Sequence, residues 1–226
     1  MLHNPDTHII NKENIIPRFS TLPSIIIRMQ PETIIKKFED FIRSNVPFDK
    51  TAFDLALNYF KVVRLSKGEF FIEKDKTCRY FAFVAEGIFR TFTVHDGTEI
   101  TTCLCSENTF ATSTISFITQ TPSNISVQAL TDVTLLTISY ENLNTLYKKS
   151  DFWLRVGRVI MEREFIGLQE GMWHNNTMKP DEKYLTLLRE NPAVLRQVPL
   201  KYIASYLRIA PETLSRIRKR TSKSIS

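Results

Sequence analysis

The amino-acid sequence predicts an α+β fold: an all-β middle, a long helix and a C-terminal helix-turn-helix. Three observations carry that expectation. Between Val62 and Ser139 the chain runs in β-branched and aromatic stretches broken by turn residues, the texture of a sandwich or barrel. From Asp151 to His174 apolar residues recur at helical spacing in several parallel rows. From Val198 to Arg220 two short helical patterns flank a tight turn, and the second turns a basic face outward.

With 226 residues and 42% hydrophobic content, the chain suffices for one sizeable domain and a small one, and is too apolar to be disordered. Residues 1–28 carry three prolines and short isoleucine clusters without helical period, and are expected to form a poorly ordered extension. Met29 directly precedes the helix-start signals Pro31 and Glu32, so translation from Met29 is weighed beside translation from Met1. Ile34, Ile35, Phe38, Phe41 and Ile42 then follow at helical spacing.

Residues 29–149 are assigned to the barrel domain, with strand-like runs at Glu69–Glu73, Tyr80–Val94, Glu99–Ser106 and Ile125–Ile138. Ile125, Val127 and Ala129 alternate with Ser126 and Gln128, the period of a half-buried strand. Asp96-Gly97 marks a hairpin turn, where positive φ is required. The six glycines are read as turn residues, and none clusters into a phosphate-cradling loop.

Residues 150–176 form the expected dimerisation helix. Phe152, Val159, Ile166 and Trp173 repeat every seven residues, with Trp153/Ile160 and Leu154/Met161/Leu168 as neighbouring rows. A helix apolar on more than one face needs cover on more than one side, from the barrel and from a second subunit. The alternative is a helix buried within a monomer.

Residues 177–226 hold the C-terminal unit. Pro180 opens a helix to Glu190, Asn191-Pro192 breaks the chain, and Pro199 opens a helix with Leu200, Ile203, Ala204 and Leu207 on one face. After the turn Arg208–Ala210, Pro211 starts a second helix whose Leu214 and Ile217 face back. Glu212, Thr213, Ser215, Arg216 and Lys219 then face away. Arginine can donate two bonds to guanine and glutamate can accept from cytosine N4, so Glu212, Arg216 and Ser215 are assigned to bases. Thr213, Arg218, Lys219, Arg208 and Lys201 are assigned to phosphates. The competing reading is an amphipathic hairpin with a solvated basic face.

The net charge of +6 favours polyanionic partners, and the last dozen residues hold five lysines and arginines and no acid. Cys78, Cys103 and Cys105 cannot all pair, and reduced thiols in a cytoplasmic protein are the simplest account. Cys103 and Cys105 share a strand face, where a redox or metal role competes with plain packing or exposure. The four histidines are scattered, so no metal is expected. No run approaches the ~20 apolar residues that span a bilayer, and the start lacks signal-peptide order, so no membrane partner is expected.

The ordered stretches Lys67–Glu69, Tyr80–Gly87, Asp96-Gly97, Ile138–Tyr140, Val198–Leu207 and Pro211–Lys219 together resemble the Crp/Fnr family of bacterial regulators. The resemblance runs from about Pro31 to Arg220. It implies a cyclic-nucleotide-binding-like β-barrel (jelly roll), a long dimer helix and a winged-helix-like unit. Only residues 221–226 follow the recognition helix, so the wing is expected to be reduced. The family turn commonly has glycine where Arg208 stands and a hydroxyl cap where Ala210 stands.

Family members that bind cyclic nucleotides use a Phe-x-Gly-Glu motif and an Arg-Ser pair; the matching positions here are Phe110–Ser113 and Ser123-Asn124. No lysine or arginine lies between Glu107 and Ser126, so a buried phosphate would lack a balancing charge. The effector is therefore unknown and not a standard cyclic nucleotide. Thr112, Ser113, Thr114, Ser123 and Asn124 are the candidate pocket for an uncharged ligand, unless they are only polar filler. The family's iron-sulfur branch needs four thiolates and three are present. The resemblance implies a homodimeric DNA-binding transcription regulator, with double-stranded DNA, a second copy, RNA polymerase and a small-molecule effector as partners. The runner-up is a protein-interaction module with a ligandless barrel and a degenerate helix-turn-helix. No nucleophile-base constellation, metal motif or nucleotide loop points to an enzyme.

Overall fold

The computed structural model describes residues 31–225, so the expected extension 1–28 and the choice between Met1 and Met29 lie outside the described residues. Helix α1 (Pro31–Arg43) forms where the apolar period predicts it and buries Ile34, Phe38 and Ile42. Helix α2 (Lys50–Ala56) follows, capped by Asp49, whose carboxylate accepts the Ala52 N–H at 2.9 Å.

Eight strands then build two antiparallel sheets in jelly-roll order. β1 (Phe60–Leu65), β8 (Val133–Ser139), β3 (Tyr80–Glu86) and β6 (Phe110–Ala111) form one; β2 (Phe70–Ile72), β7 (Ser126–Ala129), β4 (Phe89–His95) and β5 (Thr98–Cys105) form the other. The run Tyr80–Val94 is therefore two strands in two sheets. Gly87 divides them with φ +96°, a conformation that admits the chain reversal with little strain only for glycine. The β4–β5 hairpin turns at Asp96-Gly97, both at positive φ, as a type I′ turn requires.

In β7, Val127 and Ala129 are buried as their alternation predicts, but Ser126 is buried too and Gln128 is half-buried. The second face is covered as well: Ser126 Oγ accepts the Lys74 N–H and Gln128 engages Arg90.

The face of the first sheet that carries Phe81, Phe83, Leu136 and Ile138 meets helices. Phe38 packs on it, with ring centroids 5.1 Å from Phe83 and 5.4 Å from Phe60. Helix α4 (Tyr140–Lys149) leaves β8, and a single residue, Ser150, separates it from α5 (Asp151–Thr177). Ser150 Oγ caps α5 by accepting the Trp153 N–H. Gly157, Gly167 and Gly171 lie inside α5, so the expectation that every glycine serves a turn is corrected: helix packing and exposure set these three.

Helix α6 (Pro180–Glu190) begins at the expected proline, and α7 (Pro192–Gln197) occupies a stretch read only as a break. Pro192 ends one helix and opens the next, because its fixed φ suits a first turn. Helices α8 (Leu200–Leu207) and α9 (Pro211–Ile225) complete the chain, and α9 continues past the expected end at Arg220. Their core of Val194, Val198, Ile203, Ala204, Leu207, Leu214 and Ile217 also takes in Ile88 and Leu130 from the barrel.

Candidate functional site

Helix α8, a three-residue turn and α9 lie in the order that the sequence predicts for a helix-turn-helix. Ile203, Ala204 and Leu207 meet Leu214 and Ile217 in the shared core, and nearly full burial of Ala204 marks the close approach that its small side chain allows. Leu200, assigned to the same apolar face, is 38% exposed, because the first turn of α8 extends beyond that core.

Arg208 takes the left-handed conformation, φ 54° and ψ 48°, and its N–H closes the end of α8 on the Ser205 carbonyl at 3.1 Å. An arginine there costs about 1–2 kcal/mol relative to glycine. Its side chain is exposed.

On α9 the residues opposite Leu214 and Ile217 are exposed: Glu212, Ser215, Arg216 and Lys219. Their spacing of three and four places them in one stripe, so Lys219, assigned to phosphate, shares the row of the residues assigned to bases. Thr213 is half-buried and its hydroxyl accepts from Arg216 Nη2 at 3.2 Å, which preorients the guanidinium. Arg218 lies on a flank, where it borders a shallow groove with Tyr184 and Leu188. Arg220 on the other flank pairs with Asp181 of α6. Lys201 is exposed on the first turn of α8, its ammonium 4.7 Å from the Tyr202 ring.

The unit is fastened to the barrel through groups that sequence reasoning missed. Arg90 on β4 is 2% exposed; it donates to Glu99 at 2.7 Å and to Gln128 at 2.7 and 3.0 Å. Its guanidinium lies between the rings of Phe92 and Tyr202, 4.0 and 3.9 Å from their centroids. Ser205 Oγ accepts the Thr101 N–H at 2.9 Å, and Asn191 donates to Ser106 Oγ at 2.7 Å. Lys183, also buried, donates to the carbonyls of Asn175 and Leu207, tying the end of α5 to the end of α8. Burial, aided by the Arg208 charge, holds its pKa below the usual lysine value. Arg90 lies in a run that reads only as strand, and no local signal marks its partner 112 residues away on α8.

Near this contact Cys103 and Cys105 share one face of β5 with sulfurs 3.5 Å apart, Cys103 exposed and Cys105 buried. Their hydrogen bond pulls the Cys103 thiol down and pushes the Cys105 thiol up, the latter reinforced by burial. Burial pushes the neighbouring Tyr206 phenol up to about 12. Among the described residues, no group of three or more His, Cys, Asp or Glu side chains is placed to hold a metal.

The candidate effector hydroxyls do not line a common cavity. Ser113 and Ser123 are buried and hydrogen-bonded to each other at 2.8 Å, and Ser123 Oγ also donates to the Ile125 carbonyl. Thr112 Oγ1 lies 3.5 Å from the Tyr80 carbonyl, and Asn124 is exposed, its carbonyl accepting from Thr93. These groups tie the loop between β6 and β7 together, which corrects their assignment as a pocket. Thr114 differs: at the start of α3 (Thr114–Thr119) it borders a separate, apolar cavity of about 310 Å³ between the first sheet and helices α4 and α5.

The expected dimer row divides, and only its first half is corrected, because that half is taken up by the chain's own core. Phe152 is buried, with its ring edge-on to Phe48 and Trp153, and Val159 is half-buried against the same core. Ile166 and Trp173 remain exposed, 55% and 60%. Beside them the neighbouring row Leu154, Met161 and Leu168, joined by Phe165 and Met172, is exposed except for half-buried Met161 and keeps a three-four spacing.

Residues 62–150 match the cyclic nucleotide-binding domain family. No curated protein matches the chain. Solved structures of similar fold include FixK2 from Bradyrhizobium japonicum, with TM-score 0.63 and 15% identity over 73% of this chain and 85% of that one. The c-di-GMP-responsive global regulator CLP from Xanthomonas campestris gives 0.61 and 16% over 78% and 93%. A transcriptional regulator of the Crp/Fnr family from Eubacterium rectale gives 0.60 and 18% over 78% and 85%. At these identities the likeness is one of fold.

Proposed function

We propose that this chain, a cyclic-nucleotide-binding-type barrel set in a Crp/Fnr-type fold, is a transcription regulator that binds palindromic double-stranded DNA as a homodimer. The observation that carries the reading is α9: its apolar side is buried in the shared core while Glu212, Ser215, Arg216 and Lys219 stand exposed in one row. A helix of that kind enters the major groove with its polar row on the base edges and its flanking cations on phosphates. Glu212, Ser215 and Arg216 are the base readers. Thr213, Arg218, Lys219, Arg208 and Lys201 serve phosphates, with Lys219 close enough to the readers to touch a base edge. RNA polymerase is the expected downstream partner of such a regulator, and a cytoplasmic location follows from that role.

The dimer forms along α5 through Leu154, Met161, Phe165, Leu168 and Met172, flanked by Ile166 and Trp173. An exposed apolar row at three-four spacing on a helix of 27 residues is the pattern of a two-helix seam. The effector is not a cyclic nucleotide held in the usual way, since the loop from Phe110 to Ser126 supplies no cation and its buried serines bond each other.

Selection from genomic DNA with the purified protein tests the reading. Recovery of a palindrome with half-sites one helical turn apart is expected. Weak, sequence-indifferent binding that salt erases would instead leave an interaction module with a degenerate helix-turn-helix. With a site in hand, Arg216→Ala relaxes preference at one position per half-site at a cost of about 1–3 kcal/mol, whereas Lys219→Ala weakens all sequences alike. Equal patterns from the two would place Lys219 among the readers. Arg208→Gly relieves the left-handed strain and stabilises the free protein by about 1 kcal/mol, yet weakens DNA binding through loss of a phosphate contact.

A further inference from the structure

The apolar cavity beneath α5, partly open to solvent, is a site distinct from the loop of buried serines. Phe60, Phe81, Phe83 and Phe110 from the first sheet, Phe117 from α3 and Trp153 from α5 supply flat aromatic walls. No Asp, Glu, Lys, Arg or His stands among the described residues that line it. An ion inside would therefore be desolvated without compensation, which excludes carboxylates, phosphates and ammonium groups as occupants. The volume, about 310 Å³, is roughly twice the ~150 Å³ cavity that accommodates a benzene ring.

Its polar edge is narrow. Tyr147 on α4 extends its hydroxyl to the α5 backbone at Gly157, the position where a Cβ would overlap that oxygen. Among the described residues the hydroxyl has no hydrogen-bond partner, and burial holds the phenol above its usual pKa, so it stays protonated as a donor. Asn144, one helical turn earlier on the same lining, uses its amide N–H on the Tyr140 carbonyl and keeps its side-chain oxygen as an acceptor. Thr114 and Tyr140 also border the cavity, and on α4 the Tyr147 donor and the Asn144 acceptor, three residues apart, match a ring system with one hydroxyl or amide-type substituent.

We propose that this cavity binds an uncharged aromatic molecule of about two fused rings whose single hydrogen-bonding substituent meets Tyr147 and Asn144. The site stands on the cavity and does not depend on the DNA-binding reading, so either can fail alone.

The test uses the full chain carrying Trp173→Phe, which leaves Trp153 in the cavity wall as the sole tryptophan. Titration with 2-naphthol should quench Trp153 emission saturably, with one ligand per chain. The charged analogue 2-naphthalenesulfonate should bind at least tenfold more weakly. Tyr147→Phe should weaken 2-naphthol about five- to tenfold and leave naphthalene unchanged, a difference that a purely structural role of the tyrosine would not produce. Val156→Phe and, from the α4 wall, Leu143→Phe each fill the space; at least one should abolish binding while raising the melting temperature of the free protein. Absence of saturable quenching, equal affinity for the sulfonate, or unchanged binding in both folded filling variants overturns the proposal.

Discussion

The two halves of α5 are similarly rich in apolar side chains and meet opposite fates. In the first half Phe152, Trp153, Val156 and Ile160 are buried in the barrel's helical cover. In the second half Phe165, Ile166, Leu168, Met172 and Trp173 are all more than half exposed. Sequence periodicity treats the two alike. The difference is one of available partners: the first half lies beside α1, α2 and the first sheet, while the second passes beyond them. Apolar area left in water on a helix is area held for another surface.

The largest expected effect separates the halves by stability. Trp153 is 3% exposed, lies nearly parallel to Phe53 and Phe38, and donates its indole N–H to the Ala52 carbonyl at 3.0 Å. Trp153→Ala should cost about 3–5 kcal/mol in denaturant unfolding, the range for a buried aromatic. Phe165→Ala, from a site 61% exposed, should leave the folding of the monomer within ~0.5 kcal/mol. Comparable losses from both, independent of protein concentration, would break the comparison.

A second expectation concerns association. Leu168→Asp and Phe165→Asp should each weaken the dimer by about 10- to 100-fold, roughly 1.4–2.7 kcal/mol, while the barrel still folds. Sedimentation across a concentration series reads this directly; a chain that stays dimeric in both variants would move the interface elsewhere.

The smallest effects test the glycines along the same helix. Gly157→Ala drives a Cβ into the Tyr147 ring and should cost about 1–3 kcal/mol. At Gly171 an added Cβ meets nothing within 4 Å, so Gly171→Ala should stabilise by about 0.5–1 kcal/mol through helix propensity alone. Thermal unfolding of the pair should show shifts of opposite sign.

The C-terminal unit was the most legible part of the sequence, and the site in the barrel the least. Pro199, Ala204, Pro211, Leu214 and Ile217 act within one short segment, so local spacing suffices to place the two helices and the outward row on α9. Arg208 was recognisable as a residue standing where the resembling family has glycine, and its φ of 54° is the left-handed conformation that favours glycine there. The effector hydroxyls failed for a complementary reason. Ser113 and Ser123 are ten residues apart and their hydrogen bond closes a loop, which composition cannot distinguish from a ligand contact. Arg90 was invisible because its environment comes from Glu99, Gln128 and Tyr202 on three other elements.

By itself, the sequence determined the all-β middle, the hairpin turn at Asp96-Gly97, the helix breaks at the prolines, the outward face of α9, and the lack of a cation between Glu107 and Ser126. Those properties follow from backbone preference, periodicity and charge within short windows. The tertiary structure alone decided which face of α5 stays free, how Arg90 fastens α8 to the barrel, and where an aromatic cavity opens. Each of these depends on residues tens of positions apart meeting in space. The burial of a side chain is set by such neighbours, whereas its own sequence context sets only the direction in which it points.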